Sequence, residues 1–159
     1  MNLFKRKSGE IYSPAQGEVI DASQIKDPVF SNDILGKGFG VIPTQGTIFA
    51  PISGKVVNAF ESGHAYTILS DDGLEILIHI GIDTIELDGE GFYAKVRKGD
   101  KIKKREAIAT VDLELLKNKG YDPTIAVVIT NPESISKMEI KKGKVIACET
   151  AVTYTLQKK

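Results

Sequence analysis

The stretch Gly73-Leu74-Glu75-Ile76-Leu77-Ile78-His79-Ile80-Gly81-Ile82-Asp83-Thr84 places one histidine inside an apolar run that otherwise has the pattern of a buried strand. Five of the seven residues from Ile76 to Ile82 are Ile or Leu, which is typical of a strand covered on both faces. Successive strand residues point to opposite sides, so Leu77, His79 and Gly81 share one face. Because Gly81 has no side chain, we expect open space beside His79.

The second histidine, His64, lies one predicted hairpin upstream in Phe60-Glu61-Ser62-Gly63-His64, and the chain contains only these two. Two adjacent antiparallel strands are expected to bring His64 and His79 together. A neutral imidazole nitrogen is a nucleophile at physiological pH and carries a phosphoryl group reversibly. Phosphoryl transfer further needs donors around the spreading charge, and the candidates are His64, the hydroxyls of Ser62 and Thr84, and backbone N–H groups near Gly81.

The histidine stretch resembles the phosphorylation-site signature of the glucose-type enzyme IIA domains of the bacterial phosphotransferase system. The resemblance extends upstream through D-P-V-F-S-N-D-I-L-G-K-G-F, I-F-A-P-I-S-G-K-V and F-E-S-G-H-A, and downstream through E-L-D-G-E-G-F and T-N-P-E-S-I. It covers the chain from about residue 11 to its end, with the signature-bearing core at about residues 28–132.

The resemblance implies that His79 accepts the phosphoryl group and that His64 supports the phosphate. Ser62 stands where many relatives carry Thr; its hydroxyl is expected to orient His64, although with a freer rotamer. Asp83 and Thr84 complete the candidate site. The implied donor is the phosphocarrier protein HPr and the implied acceptor is a IIB domain of a sugar permease, with regulatory targets as further partners.

Two other functions are alternatives to this carrier. His64, His79 and Asp83 supply three zinc-ligand types, and certain zinc peptidases share a similar duplicated architecture, so a zinc-dependent hydrolase is the alternative. Those peptidases use additional histidines that this chain lacks. The third function is a small effector-binding module. The carrier requires no cofactor, although the resemblance implies that His64 and His79 together bind zinc when a partner donates a carboxylate.

A carrier must expose its nucleophile on a surface that its partners can cover, apolar at the centre and charged at the rim. Asp27 and Asp83 are candidates for the rim. The predicted apolar patch contains Val29, Phe30, Ile34, Leu35, Phe60, Ile80 and Ile85.

Composition limits the other classes of function. The 21 basic and 21 acidic residues cancel and are interspersed, which argues against nucleic-acid binding. No segment approaches the ~20 apolar residues of a membrane span, and no secretory signal precedes residues 5–7, so we expect a cytoplasmic protein. Residues 1–8 are predicted to be a disordered tail, and residues 9–159 a single domain.

Internal repeats decide the fold class. The segment I-Y-S-P-A-Q-G-E-V at residues 11–19 is repeated as I-F-A-P-I-S-G-K-V at 48–56, and V-R-K-G-D-K-I at 96–102 as I-K-K-G-K-V at 140–145. These repeats predict an all-β, antiparallel sandwich or barrel with internal duplication, similar to the duplicated hybrid motif. Predicted strands cover 41–43, 65–69, 74–82, 108–111, 125–129 and 152–156. Short helices are predicted after Asp27-Pro28, ending at Gly36, and from Asp112 to Gly120, with a turn at Asn131-Pro132.

Overall fold

The computed structural model describes residues 7–157 of the chain. The predicted tail over residues 1–8 therefore lies almost entirely outside the described residues, and its last residue, Ser8, already belongs to the first strand. The fourteen strands are β1 Ser8–Tyr12, β2 Gly17–Asp21, β3 Lys37–Pro43, β4 Thr47–Phe49, β5 Gly54–Ala59, β6 Ala65–Ser70, β7 Glu75–Ile80, β8 Phe92–Ala94, β9 Lys101–Ile102, β10 Ala107–Val111, β11 Ile125–Ile129, β12 Ile135–Ile140, β13 Gly143–Val145 and β14 Thr150–Leu156.

The helices are short and begin where the sequence predicts them. Helix α1, Pro28–Ser31, starts after Asp27, whose carboxylate accepts the N–H of Val29. It ends five residues before the predicted Gly36. Helix α2, Leu113–Asn118, is capped by Asp112, whose carboxylate accepts the N–H of Leu115. The 3₁₀ segments are Ala22–Gln24, Thr84–Leu87 and Pro132–Ser134.

All strand pairs are antiparallel and form three sheets, which confirms the predicted all-β class. The largest sheet has the order β13-β2-β3-β11-β7-β6-β5-β9. The two smaller sheets have the orders β4-β10-β8 and β1-β14-β12. Among the described residues no helix has the length and apolar character needed to cross a membrane.

Equivalent hydrogen bonds in the two repeats confirm the duplication. The N–H of Tyr12 donates to the carbonyl of Pro51, and the N–H of Phe49 donates to the carbonyl of Pro14, so the two Pro turns bond each other reciprocally. The second repeat pair behaves alike: β9 pairs with β5 as β13 pairs with β2. Arg105 and Cys148 follow these strands at equivalent positions, both with positive φ.

Strand β7 separates two apolar layers. Ile76, Ile78 and Ile80 point into the main core and are fully buried. Leu77 and His79 point to the other side, where a smaller cluster of Ile20, Ala22, Ile25, Phe30, Ile82, Ala126 and Val128 covers the sheet. The strand ends at Ile80, two residues earlier than predicted, because Gly81 adopts φ +82° and turns the chain. His79 thus lies near the end of a central strand, in a sheet that is packed on both faces.

Candidate functional site

His79 sits between small neighbours on the two adjacent strands. Ala65 of β6 and Ala126 of β11 pair with it directly across the sheet. Cross-strand partners project to the same face, so two methyl groups flank the imidazole and leave room for a ring. The ring of Phe30 closes one side of this space, with its centroid 5.2 Å from that of His79.

The backbone turn after β7 orients the His79 ring. Nδ1 of His79 donates to the carbonyl oxygen of Gly81 at 2.8 Å. That carbonyl is held in turn because the N–H of Gly81 donates to the carbonyl of Thr124, and the N–H of Ile82 to that of Asp122. These two backbone N–H groups are therefore occupied and are not free phosphate donors.

The space at Gly81 is also not open, which corrects the sequence-based expectation. A Cβ atom built on Gly81 would lie 2.4 Å from Cγ2 of Thr84. The glycine is required by its positive φ and by this close approach. Thr84 itself is fully buried, and its hydroxyl donates to the carbonyl of Ile80 at 2.5 Å. Thr84 stabilises the turn, and its hydroxyl is committed to that bond.

His64 lies beside His79, as the hairpin predicted. The ring centroids are 5.2 Å apart and the planes are nearly perpendicular, at 82°. The carbonyl of His64 accepts the N–H of Ile80, which ties the loop to the end of β7. The Ser62 hydroxyl lies 2.6 Å from Nδ1 of His64, in the orienting position that we expected of it. Gly63 between them has φ +76°, so a residue without a side chain suits this position.

In both rings the hydrogen bond found among residues 7–157 is made by Nδ1. In His79 the acceptor is a carbonyl oxygen, so Nδ1 must carry the proton and Nε2 of the neutral ring has the lone pair. The hydrogen bond to the Gly81 carbonyl thereby leaves Nε2 as the nitrogen of His79 that is available to act as a nucleophile.

Burial keeps both imidazoles neutral. It lowers the pKa of His64 to about 4, with the nearby His79 as the second cause. Burial also lowers the pKa of His79, although the Gly81 carbonyl and the carboxylates of Asp27 and Asp83 partly oppose the effect. The solvent-exposed Asp83, at φ 59°, acts on His79 through its charge. Both rings are thus unprotonated at neutral pH, as a nucleophile requires.

Two features of the site were not identified from the sequence. The first is Phe92, whose ring lies 6.5 Å from that of His64, while Phe60 lies at 5.4 Å. The sequence did contain an indication of Phe92, since this residue ends the E-L-D-G-E-G-F motif. The second is the segment 122–124, whose carbonyls accept hydrogen bonds from the turn at Gly81. The Asp122 carboxylate accepts the N–H and the hydroxyl of Thr124, which is a turn signature visible in the sequence.

The predicted apolar patch needs two corrections. Ile80 is 0% exposed because its side chain points into the main core, so it cannot contact a partner. Phe30 is only 5% exposed, since it packs on His79 and the smaller cluster. The remaining members are exposed apolar side chains in or after helix α1, in the His64 loop and in the 3₁₀ segment that follows β7: Val29, Ile34, Leu35, Phe60 and Ile85. We call these five residues the apolar patch below.

The described part of the chain contains no set of metal ligands for the zinc hydrolase alternative. Within residues 7–157, no group of three or more His, Cys, Asp or Glu side chains is placed to hold a metal ion. Asp83 therefore does not join His64 and His79 as a third ligand.

Comparisons with known proteins agree on one family. Residues 9–135 match the model of the phosphoenolpyruvate-dependent sugar phosphotransferase system, EIIA 1. The chain is 38% identical over 151 residues to the PTS system glucose-specific EIIA component of Buchnera aphidicola, covering 95% of this chain and 94% of that protein. It is 39% identical over 149 residues to the glucose-specific EIICBA component of Streptococcus pneumoniae, covering 94% of this chain and 20% of that longer protein.

A solved structure described as glucose permease IIA from Mycoplasma capricolum has the same fold. The TM-score is 0.86 at 32% sequence identity, with 96% of this chain and 99% of that chain covered. Neither the matched family nor these relatives support the zinc peptidase alternative.

Proposed function

This chain belongs to the EIIA 1 family of the phosphoenolpyruvate-dependent sugar phosphotransferase system, and we propose that His79 is the residue on which it carries the phosphoryl group. The family assignment makes the chain a phosphoryl carrier, a phosphotransferase component that acts through phosphohistidine. Either of its two histidines has the chemistry to fill that role. The choice between them depends on the geometry of the site.

The observation that carries the proposal is the hydrogen bond from Nδ1 of His79 to the Gly81 carbonyl. It orients the ring and leaves the lone pair on Nε2. In the transfer, Nε2 attacks the phosphorus atom, a new P–N bond forms, and the donor's bond to phosphorus breaks with its electron pair returning to the donor. The charge that accumulates on the ring is partly offset by the Gly81 carbonyl and the nearby carboxylates of Asp27 and Asp83.

His64 serves as the supporting donor in this proposal. When the Ser62 hydroxyl donates to Nδ1 of His64, the ring proton resides on Nε2 and can be donated to a phosphoryl oxygen. Burial holds His64 neutral until the phosphoryl charge arrives beside it. Loose phosphoryl-transfer transition states are stabilised mainly by such positioned donors.

We propose phospho-HPr as the donor and a IIB domain of a sugar permease as the acceptor. The IIB acceptor is supported by relatives that combine the three components, the EIICBA component of Streptococcus pneumoniae and the EIIBCA component of Bacillus subtilis. Both partners would dock on the apolar patch, with Asp27 and Asp83 at its rim. Regulatory proteins that recognise the same face are further candidate partners. We propose that the reaction takes place in the cytoplasm.

The carrier reaction itself needs no cofactor in this proposal. Zinc nevertheless fits the pair of histidines, since the Nδ1 atoms are occupied and Nε2 of each ring is left to bind a metal. Two protein ligands do not complete a tetrahedral site. Zinc would therefore bind only where a partner supplies a carboxylate, and would then strengthen that complex.

The test is phosphorylation with phosphoenolpyruvate, enzyme I and HPr, followed by mass spectrometry under alkaline conditions that preserve phosphohistidine. We expect one phosphoryl group on His79 and none on a His79→Ala protein. Undiminished labelling of His79→Ala would refute the assignment. Labelling of His64 in the wild-type protein would refute it equally.

A further inference from the structure

A lysine-lined groove lies where β5 and β9 form one edge of the eight-stranded sheet. Its volume is about 710 Å³, and its charged lining consists of Lys55, Lys101, Lys103, Lys104 and Asp71. All four lysine side chains are exposed, and none forms a salt bridge within residues 7–157. The groove therefore carries four positive charges against the single negative charge of Asp71.

The positive charge continues into the adjoining segment, residues 95–105. Residues 95–105 contain seven of the 21 basic residues and a single acid, Asp100. The carboxylate of Asp100 is occupied in its own turn, where it accepts the N–H of Arg97 at 3.0 Å. Lys104 and Arg105 lie over the ring of Tyr12, at 5.4 and 5.1 Å from its centroid, which holds that end of the segment against the sheet. The even charge balance of the whole chain thus conceals a local basic cluster.

The groove and the histidines lie at opposite ends of the β5–β6 pair. Gly54 pairs with Ser70 at the groove end, and Ala59 pairs with Tyr66 next to the His64 loop. Five strand residues separate these ends by about 16 Å. The histidine end is acidic: Asp27 and Asp83 lie near His79, Glu86 lies in the following 3₁₀ segment, and Asp88 directly follows that segment. An anionic surface is consequently attracted to the groove end and repelled by the histidine end.

We propose that this basic edge, defined as Lys55, Arg97, Lys98, Lys101, Lys103 and Lys104, docks on the anionic phospholipid surface of a membrane. Clusters of about four to eight exposed Lys or Arg are typical of binding to anionic lipid. Protein interfaces are instead depleted in lysine, and small-molecule sites use few, convergent polar groups in an apolar pocket. Docking by this edge leaves the histidines and the apolar patch free.

Under the carrier function proposed above, that membrane is the one that carries the permease partner. Holding the carrier at the surface would raise its effective concentration at the acceptor without any new contact at the transfer site.

The experiment measures co-sedimentation of the full-length chain with vesicles of phosphatidylcholine, with and without about one-third phosphatidylglycerol. The test variant is Lys101→Glu/Lys103→Glu/Lys104→Glu. The matched control is Lys141→Glu/Lys142→Glu/Lys144→Glu, which changes the same charge in the second copy of the repeated Lys-Gly turn. Residues 5–7 stay unchanged throughout, so any contribution of their charges is constant.

We expect binding to the anionic vesicles only, weakening as salt rises. The test variant should lose about 100-fold or more in partitioning, since each surface lysine contributes roughly fivefold, and the control should stay within about twofold of wild type. Equal loss in both variants, or full binding by the test variant, would overturn the proposal. Binding of soluble glycerol phosphate that depends on the same lysines, without vesicle binding, would overturn it in favour of a small-anion site.

Phosphorylation by phospho-HPr is measured on the same proteins and should be unchanged in the test variant. If wild-type vesicle binding occurs but His79 is never phosphorylated, the carrier assignment fails and membrane docking stands. The two proposals are therefore separable in one set of proteins.

Discussion

At His79, one hydrogen bond determines which nitrogen atom carries the lone pair. The Gly81 carbonyl can only accept, so the proton sits on Nδ1 and the lone pair on Nε2. His64 lacks this constraint because the Ser62 hydroxyl is both donor and acceptor. The two imidazoles, though adjacent, are therefore suited to different roles, nucleophile and supporting donor.

We expect a His64→Gln protein to accept a phosphoryl group at His79 but to pass it on ~10²–10³-fold more slowly. The nucleophile and the incoming donor remain intact, whereas the group that steadies the charged phosphoryl oxygens during departure is replaced by an amide that cannot become cationic. Quench-flow measurement of both half-reactions tests the division. Equal slowing of acceptance and donation would contradict it.

The depressed pKa of His64 has a consequence for stability. The pKa of His64 is about 4 in the folded protein and 6.5 in the unfolded chain. Between pH 4 and pH 6.5, therefore, the unfolded state binds more protons at His64 than the folded state does. The free energy of unfolding should accordingly be highest above pH 6.5 and fall as the pH is lowered toward 4. Urea titrations of wild type and His64→Gln at several pH values measure the difference. Parallel curves for the two proteins would show that His64 is not the group responsible.

At the scale of the element, the turn at residues 81–84 links sheet geometry to ring orientation. Gly81 has φ +82°, its N–H is bonded to Thr124, and its missing Cβ makes room for Cγ2 of Thr84. Strand β7 ends here because of this turn, and the Gly81 carbonyl reaches Nδ1 of His79 for the same reason. A change in the turn should thus alter both stability and transfer.

Gly81→Ala should destabilise the protein by about 2 kcal/mol or more, since an L-residue is strained at this φ and its Cβ collides with Thr84. A second substitution, Thr84→Ser, should rescue part of the lost stability by removing the collision. Adding Thr84→Ser removes Cγ2 but keeps the hydroxyl that bonds Ile80, so Gly81→Ala/Thr84→Ser should regain part of the lost stability. Urea unfolding measures both proteins. A double variant no more stable than Gly81→Ala would show that the collision is not the cause.

At the scale of the whole molecule, the repeated segments form the framework, and the candidate site lies in segments that are not repeated. The two Pro turns bond each other, and β5–β9 repeats β2–β13. The two histidines and helix α1 lie outside these repeated segments, where β6, β7 and β11 form the middle of the large sheet. The residues of the apolar patch likewise lie outside the repeated segments.

Because donor and acceptor would cover the same patch, Ile34→Lys should weaken both complexes, by about tenfold or more for a charge buried in an interface. Ile34 is 64% exposed, so folding should be unaffected, whereas Phe30→Lys would bury a charge and unfold the site. Ile146→Lys is the matched control, since Ile146 is 61% exposed and follows β13 at the far edge of the sheet. Calorimetry with HPr and with a IIB domain measures the effect. Loss of one complex alone would contradict a shared face.

The sequence by itself determined the features that depend on local pattern. The apolar run around His79, the repeated Pro and Lys-Gly turns, and the Asp caps at Asp27 and Asp112 act over a few neighbouring residues, so fold class, duplication and helix starts were predictable. The adjacency of His64 and His79 also followed, because a short hairpin necessarily pairs the strands on either side of it.

Only the tertiary structure decided what depends on contacts between distant segments. Ile80 lies on the strand face opposite to His79, which the alternation along β7 already indicated. Whether Phe30 faces a partner or the core is set by how α1 packs on His79 and the smaller cluster, which no local pattern contains. The filling of the space at Gly81 by Thr84, and the occupation of its N–H by Thr124, likewise required the register between β7 and β11. Residue types near His79 were readable from the chain, but their roles as core, turn or surface were not, because burial is a property of the assembled layers.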